Sequence, residues 1–159
     1  MRKSWISGIM LGVAGSLLVA VPAQATNIGT DGCTPGYWKN HTDSWFETET
    51  QAIPSGTLLN QGSVGFHTTA ALAGDSLLDA LAYKGGPGAA GAERILMRAA
   101  AAAWLNAAHE GVGYPYRRWE DPFNIVGTTN SAIASGDRAA MLDVATALDT
   151  ANNLGCTLN

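Results

Sequence analysis

The sequence is poor in charged residues and in cysteine. Charged residues make up 14% of the 159 residues, against ~25% in typical globular domains, while the 47% of hydrophobic residues is too high for a disordered chain. The net charge of −4 argues against a nucleic-acid partner, because phosphate binding needs a basic face. Two cysteines exclude a disulfide-dense miniprotein, and nineteen glycines without a regular period exclude collagen. The length indicates one domain.

The first 25 residues have the features of a secretory signal peptide. Arg2 and Lys3 form a positive start, residues 6–21 are apolar, and residues 23–25 form an A-x-A cleavage site. The apolar stretch is short for a membrane-spanning helix of ~20 residues, so we expect cleavage and no membrane contact afterwards. The sequence therefore predicts a secreted protein, extracellular or periplasmic. Without Arg2 and Lys3, seven basic and thirteen acidic residues give a net charge of 7 − 13 = −6.

The two cysteines, Cys33 and Cys156, lie near opposite ends of the predicted mature chain. In an oxidising compartment, the simplest interpretation of one such pair is a disulfide. The long loop that it closes would contribute about 4–5 kcal/mol in the chain-entropy model. The alternative is a pair of thiolate metal ligands, which the absence of a C-x-x-C pair disfavours.

Hydrophobic residues at helical spacing predict an all-α fold, a small bundle of about four helices. Residues 26–66 lack a sustained helical period. We expect them to form an irregular, aromatic-rich N-terminal segment with one short helix near residues 43–49, tied to the last helix by the disulfide. Residues 67–159 are predicted to form the helical bundle of the same domain. No run of residues is long enough to predict a β-sheet.

Local start and stop signals give the limits of the four helices. Asp121 followed by Pro122 is a typical helix start, and Asp137 is a typical N-cap. Gly136 and Gly155 are typical helix ends. The helices are predicted over about residues 68–84, 92–109, 121–135 and 138–154.

The sequence GCTPGYWKNH, residues 32–41, resembles the opening of a recurring domain of secreted bacterial proteins with a CTPG(Y/F)WKNH-type motif. Residues 105–115 and the end of the chain, residues 135–156, look similar to the same domain. The resemblance therefore covers most of the predicted mature chain. It implies an exported domain that is sometimes part of larger surface proteins, and it implies no particular reaction.

The most distinctive candidate site is an aromatic and polar cluster that begins within this motif. Its tryptophan and tyrosine rings are suited to stack on sugar rings, and its lysine, asparagine and histidine are suited to bond sugar hydroxyls. The alternative is structural, because aromatic side chains dominate the energetics of protein cores. The candidate ligand-binding residues are Tyr37, Trp38, Lys39, Asn40, His41 and Trp45.

A second candidate cluster contains Arg117, Arg118 and Trp119. Two adjacent arginines beside aromatic rings are suited to bind a carboxylate or a phosphate. The alternative is that the arginines pair with Glu120, Asp121 or other acids and hold the loop. Both interpretations place the arginines in contact with anionic groups.

Two further chemistries have weaker signals. Glu47 and Glu49 lie near Trp45, and a glycan hydrolase needs two carboxyl groups about 5–9 Å apart. Scattered histidines, His41 or His109 with a nearby acid such as Asp31 or Glu110, are a candidate composite metal site, although no H-E-x-x-H motif occurs. We predict no metal and no cofactor.

Together these features predict an exported, disulfide-stapled, non-catalytic domain. Its expected role is structural or binding, at the cell surface or outside the cell, with a cell-wall glycan or a surface protein as its partner. The alternative function is a cell-wall glycan hydrolase that uses Glu47 or Glu49.

Overall fold

The computed structural model describes residues 28–121 and 123–159, so the predicted signal peptide lies outside the described residues. The described chain is mostly helical, with a small two-stranded sheet. Short 3-10 turns occupy Thr42–Ser44 and Ala70–Leu72. The named elements are α1 (Pro35–Asn40), β1 (Phe46–Thr48), β2 (Gln51–Ala52), α2 (Leu77–Leu81), α3 (Gly88–Ala108), α4 (Ile125–Ser135) and α5 (Arg138–Asn152).

Helix α3 forms the centre of the fold and packs against α1, α2, α4 and α5. The predicted helix over residues 92–109 is confirmed and begins four residues earlier. The five alanines at residues 99–103 are all buried, and their small side chains let neighbouring helices approach closely. A Cβ on Gly91 would lie 2.1 Å from the carbonyl oxygen of Gly86, so only glycine fits where the chain folds back at the start of α3.

Helix α4 begins later than predicted. Its N-cap is Asn124, whose Oδ1 accepts a hydrogen bond from the backbone N–H of Gly127. The predicted start at Asp121 is therefore wrong, and Pro122 lies outside the described residues. The reason is that the preceding loop turns back on itself, since the N–H of Arg117 donates to the carbonyl of Phe123.

The signals between α4 and α5 are confirmed. Gly136 adopts the left-handed conformation that ends α4, with φ of 64°. The carboxylate of Asp137 caps α5 by accepting from the N–H of Ala139. Helix α5 ends at Asn152, earlier than predicted, and Gly155 instead pairs with the N-terminal segment.

The predicted continuous helix over residues 68–84 is wrong. A 3-10 turn and the five-residue helix α2 occupy this segment. Ser76 interrupts the helix because it forms a capping box with Asp79, in which each side chain accepts from the backbone N–H of the other. The hydroxyl and backbone N–H of Ser76 also hold the pKa of Asp79 below its ordinary value.

The N-terminal segment contains more structure than the sequence predicted. The prediction of a short helix near residues 43–49 is wrong, because the short helix of this segment is α1, which ends at Asn40. Residues 46–52 instead form an antiparallel hairpin, with Phe46 opposite Ala52 and Thr48 opposite Gln51. The expected absence of a sheet is therefore also wrong, although each strand has only two or three residues.

The predicted disulfide is confirmed. Cys33 and Cys156 are bonded, and beside them the N–H of Gly32 donates to the carbonyl of Gly155 at 2.9 Å. The N-terminal region is thereby joined to the segment that follows α5. This bond is consistent with an oxidising extracellular or periplasmic location. Within the described ranges, no helix has the length and hydropathy needed to cross a membrane.

Candidate functional site

The predicted aromatic cluster divides between core and surface. Trp38 and Trp45 are 0% and 1% exposed, so neither offers a ring face to a ligand. Their indole nitrogens are satisfied internally, because Trp38 Nε1 donates to Asn106 Oδ1 and Trp45 Nε1 donates to the carbonyl of Trp38. The prediction that these two rings stack on sugar rings is therefore wrong. They anchor α1 and the hairpin to the core.

Asn106 on α3 is fully buried and links the N-terminal segment to α5 through hydrogen bonds. Its Oδ1 accepts from the backbone N–H of Cys33 at 2.8 Å and from Trp38 Nε1 at 3.1 Å. Its Nδ2 donates to the carbonyl of Cys33 at 2.8 Å and to Asn152 Oδ1 at 3.0 Å. All four hydrogen-bonding positions of this amide are thus used within the core.

Asn152 on α5 extends this network. Its Oδ1 also accepts from the hydroxyl of Tyr114, and its Nδ2 donates to the carbonyl of Ala99. Burial raises the pKa of Tyr114, which keeps this hydroxyl protonated as a donor. Sequence reasoning missed both asparagines. The signal for Asn106 was an amide within an otherwise apolar helical run.

The remaining residues of the first cluster lie at the surface of α1. His41 stacks on the half-buried Tyr37, with ring centroids 4.3 Å apart, and its Nδ1 donates to the carbonyl of Tyr37. Asn40 Nδ2 donates to the carbonyl of Gly36. Lys39 is exposed and lines a separate cleft. The structure therefore does not bring the six predicted residues together on one binding surface.

The second cluster forms a stack. The guanidinium of Arg118 lies over the ring of Trp119 at 4.5 Å and over the ring of Trp104 at 4.9 Å, measured to the ring centroids. Arg118 is buried and forms an ion pair with Glu47 on β1. Pairing of Arg118 with an acid is thus confirmed, and the partner is Glu47 from the hairpin. The backbone of Arg117 forms an isolated parallel β-bridge with that of Asn124, the N-cap of α4.

A cleft of about 310 Å³, which we call the tryptophan cleft, opens between the hairpin, the turns that follow it and α3. Its lining combines apolar residues with hydroxyl, amide and carboxylate groups. Trp104 is almost fully buried in its wall, and its Nε1 has no hydrogen-bond partner among the described residues. The polar lining residues are Glu47, Gln51, Thr57, Gln61 and Ser63.

Trp119 lies beside the tight turn over residues 61–65. The N–H of Gly65 closes this turn by donating to the carbonyl of Gln61, and Ser63 lies within it. A Cβ built on Gly65 would be 3.6 Å from Nε1 of Trp119. Trp119 is 38% exposed. One accessible indole ring therefore lies beside the turn that carries Gln61 and Ser63, two residues that line the tryptophan cleft.

A second cleft of about 500 Å³, the acidic cleft, shares Glu47 with the first. Glu49, Glu110 and His109 also line it. Burial lowers the pKa of His109, an effect that Glu110 partly offsets. His109 Nδ1 accepts from the backbone N–H of Gly111, so the neutral ring carries its proton on Nε2.

His41 and His109, the histidines of the predicted composite metal site, each bond a backbone group. His41 bonds its own helix, and His109 bonds the turn that follows α3. Across residues 28–121 and 123–159, no group of three or more His, Cys, Asp or Glu side chains is arranged to hold a metal ion.

The chain matches no protein-family model, no curated protein and no solved structure. Any functional assignment therefore depends on the contacts, burial and charges of its own residues.

Proposed function

We propose that this protein is an exported, non-catalytic binding domain that takes a hydroxyl-rich polymer, such as a cell-wall glycan, at the tryptophan cleft and the neighbouring Trp119. The observation that carries this proposal is the accessible ring of Trp119, held against a buried arginine near a cleft whose mixed lining includes several polar side chains. Four large hydrophobic residues are exposed among the described residues, and Trp119 is the one of them that has an aromatic ring.

The chemistry of the surface suits such a ligand. A sugar ring presents C–H groups that pack on an aromatic face and hydroxyls that both donate and accept hydrogen bonds. Gln51 and Gln61 each offer an amide donor and an acceptor, and Ser63 offers a hydroxyl. An apolar platform with a few convergent polar groups is typical of small-molecule and saccharide sites.

The stack also supports a preformed surface. Arg118 is fixed on one side by Glu47 and on two faces by the indoles of Trp104 and Trp119. A ring that is already held in place loses little conformational freedom when a ligand binds, and this preorganisation favours affinity. In this proposal the ion pair positions the binding ring, and the buried N-terminal motif maintains the framework.

Sedimentation with insoluble cell-wall glycan tests the proposal. We expect the purified protein to be found in the pellet, and Trp119→Ala to bind about tenfold more weakly, the loss that corresponds to ~1.4 kcal/mol at a central aromatic contact. Leu154→Ala is the matched control, because Leu154 is an exposed hydrophobic residue that lines neither cleft. Equal binding by wild type and Trp119→Ala, or wild-type protein left in the supernatant, would contradict the proposal.

Glycan hydrolysis is the second candidate, and one observation favours it: Glu47, Glu49 and Glu110 line a single cleft with His109. Against it, the ion pair with Arg118 engages the carboxylate of Glu47. The same sedimentation experiment separates the two functions, because a hydrolase releases soluble fragments that increase with time. If the wild type releases soluble glycan fragments and Glu49→Gln or Glu47→Gln does not, the result favours the hydrolase. An intact glycan with bound protein favours the binding domain.

A further inference from the structure

A separate cleft of about 430 Å³ collects positive charge on an acidic protein. It lies where α1, the end of α2, α3 and α5 meet, and we call it the basic cleft. Lys39 on α1, Lys84 after α2 and Arg98 on α3 line it. The chain has nine lysines and arginines, of which Arg2 and Lys3 precede the described residues, so three of the remaining seven face one cleft.

These charges are not neutralised by contacts. Asp149 is the acidic residue that lines the basic cleft. Within the described part of the chain, Lys39, Lys84 and Arg98 make no ion pair or side-chain hydrogen bond. Like charges that gather without partners repel each other, and an anion bound among them would remove this repulsion.

The basic cleft continues into a groove of about 330 Å³ between α3 and α5, and Arg98 and Asp149 line both. The groove wall has Ile95 and Leu142 as its larger apolar side chains, beside two alanines, and it also carries the polar side chains of Thr146, Thr150 and Asn153. Thr146 adds little polarity, because its hydroxyl donates to the carbonyl of Leu142 one turn earlier in α5. A single surface thus has a cationic end and an extension in which apolar side chains form the larger part of the exposed wall.

We propose that this surface binds an amphiphilic oxyanion, with a phosphate or carboxylate head on Lys39, Lys84 and Arg98 and a hydrocarbon chain along the α3–α5 groove. A free inorganic ion would leave the groove uncovered, and a neutral amphiphile would leave the cations unpaired. Charge complementarity and the continuity of the two cavities therefore select a ligand with both parts. This inference is independent of the glycan proposal, since the two sites share no lining residue.

Isothermal titration calorimetry with three soluble probes tests the site. Dodecyl phosphate below its micelle concentration is expected to bind at least about tenfold more tightly than inorganic phosphate and than neutral dodecyl maltoside. Its affinity should fall with added salt and with a shorter octyl chain. Equal affinity for inorganic phosphate, or equal affinity for dodecyl maltoside, would overturn the proposal.

Variants connect the binding to the named residues. We expect Arg98→Ala to weaken dodecyl phosphate binding about tenfold and Lys84→Ala about two- to fivefold, in line with a partly buried and an exposed cation. Arg94→Ala is the matched control, because Arg94 lies on the same helix, is exposed and lines neither cavity. An equal loss in Arg94→Ala, or unchanged binding in Arg98→Ala with native circular dichroism, would refute the assignment.

Phosphatidylglycerol vesicles distinguish a soluble amphiphile from a membrane surface. Vesicle sedimentation without calorimetric binding of monomeric dodecyl phosphate would overturn the proposal in favour of a charged lipid surface. Binding of the monomer that competes with any vesicle association would support it.

Discussion

Asn106→Ala removes the buried amide that links the N-terminal segment to α3 and α5. The substitution deletes four hydrogen bonds at once. Asn152 Oδ1 keeps a partner, the hydroxyl of Tyr114, but three other buried groups lose theirs. They are the backbone N–H and carbonyl of Cys33 and the indole N–H of Trp38.

The expected cost follows from these three groups. A buried donor or acceptor left without a partner costs about 1–3 kcal/mol, so the free energy of unfolding should fall by about 3–9 kcal/mol. The lower value applies if water enters the space left by the amide and satisfies part of the network. Small domains have a total stability of about 5–15 kcal/mol, so Asn106→Ala should bring the protein close to unfolding.

Urea denaturation of the oxidised protein, followed by circular dichroism, measures this difference. Asn60→Ala is the control, since Asn60 is exposed and its amide makes one hydrogen bond, to the carbonyl of Ala73. We expect the control to lose less than about 1 kcal/mol. A loss below about 1 kcal/mol in Asn106→Ala as well would refute the structural role given to this network.

Three other perturbations have defined outcomes. Double replacement of Cys33 and Cys156 by serine should reduce the free energy of unfolding by about 4–5 kcal/mol in denaturant titrations, because the bond closes a loop with a sequence separation of 123, and an unchanged midpoint would contradict this. The pKa of His109 is lowered in the folded protein, so the fold favours the neutral ring. The stability that this ring contributes is complete above pH 6.5 and is lost as the pH falls below that value. His109→Gln should therefore flatten the Tm–pH curve below pH 6.5, and a curve identical to that of the wild type would contradict this prediction. Gly91→Ala should lower Tm although alanine favours helices by ~1 kcal/mol, because the new Cβ would meet the backbone of Gly86, and a raised Tm would show that the close approach is absent.

The long helices could be predicted because their signals are local. Gly136 and Asp137 mark the α4–α5 junction in the sequence, and the structure uses both residues as predicted. The break at Ser76 also had a local signal, a serine followed three residues later by Asp79, but the apolar periodicity around it concealed the capping box. The hairpin had no comparable signal, because strands of two or three residues show no alternation to detect.

The candidate site depended on information that sequence spacing does not contain. In a six-residue helix, the pattern does not tell which aromatic side chain faces the core, so Trp38 and Tyr37 looked equivalent. The Arg118–Glu47 pair joins residues 71 positions apart, and nearer acids were equally reasonable partners. The cationic cluster of the basic cleft was also invisible, since Lys39 and Arg98 come from different helices.

The disulfide gives this domain an unusual response to mechanical force. Cys33 and Cys156 lie near the two limits of the described chain, and helices α1 to α5 all lie within the loop that they close. A pulling force applied to the chain outside this loop is transmitted through the sulfur–sulfur bond and bypasses the helices. In the oxidised protein, tension between the two chain ends therefore leaves the bundle folded, and only reduction of one covalent bond transfers the load to the core.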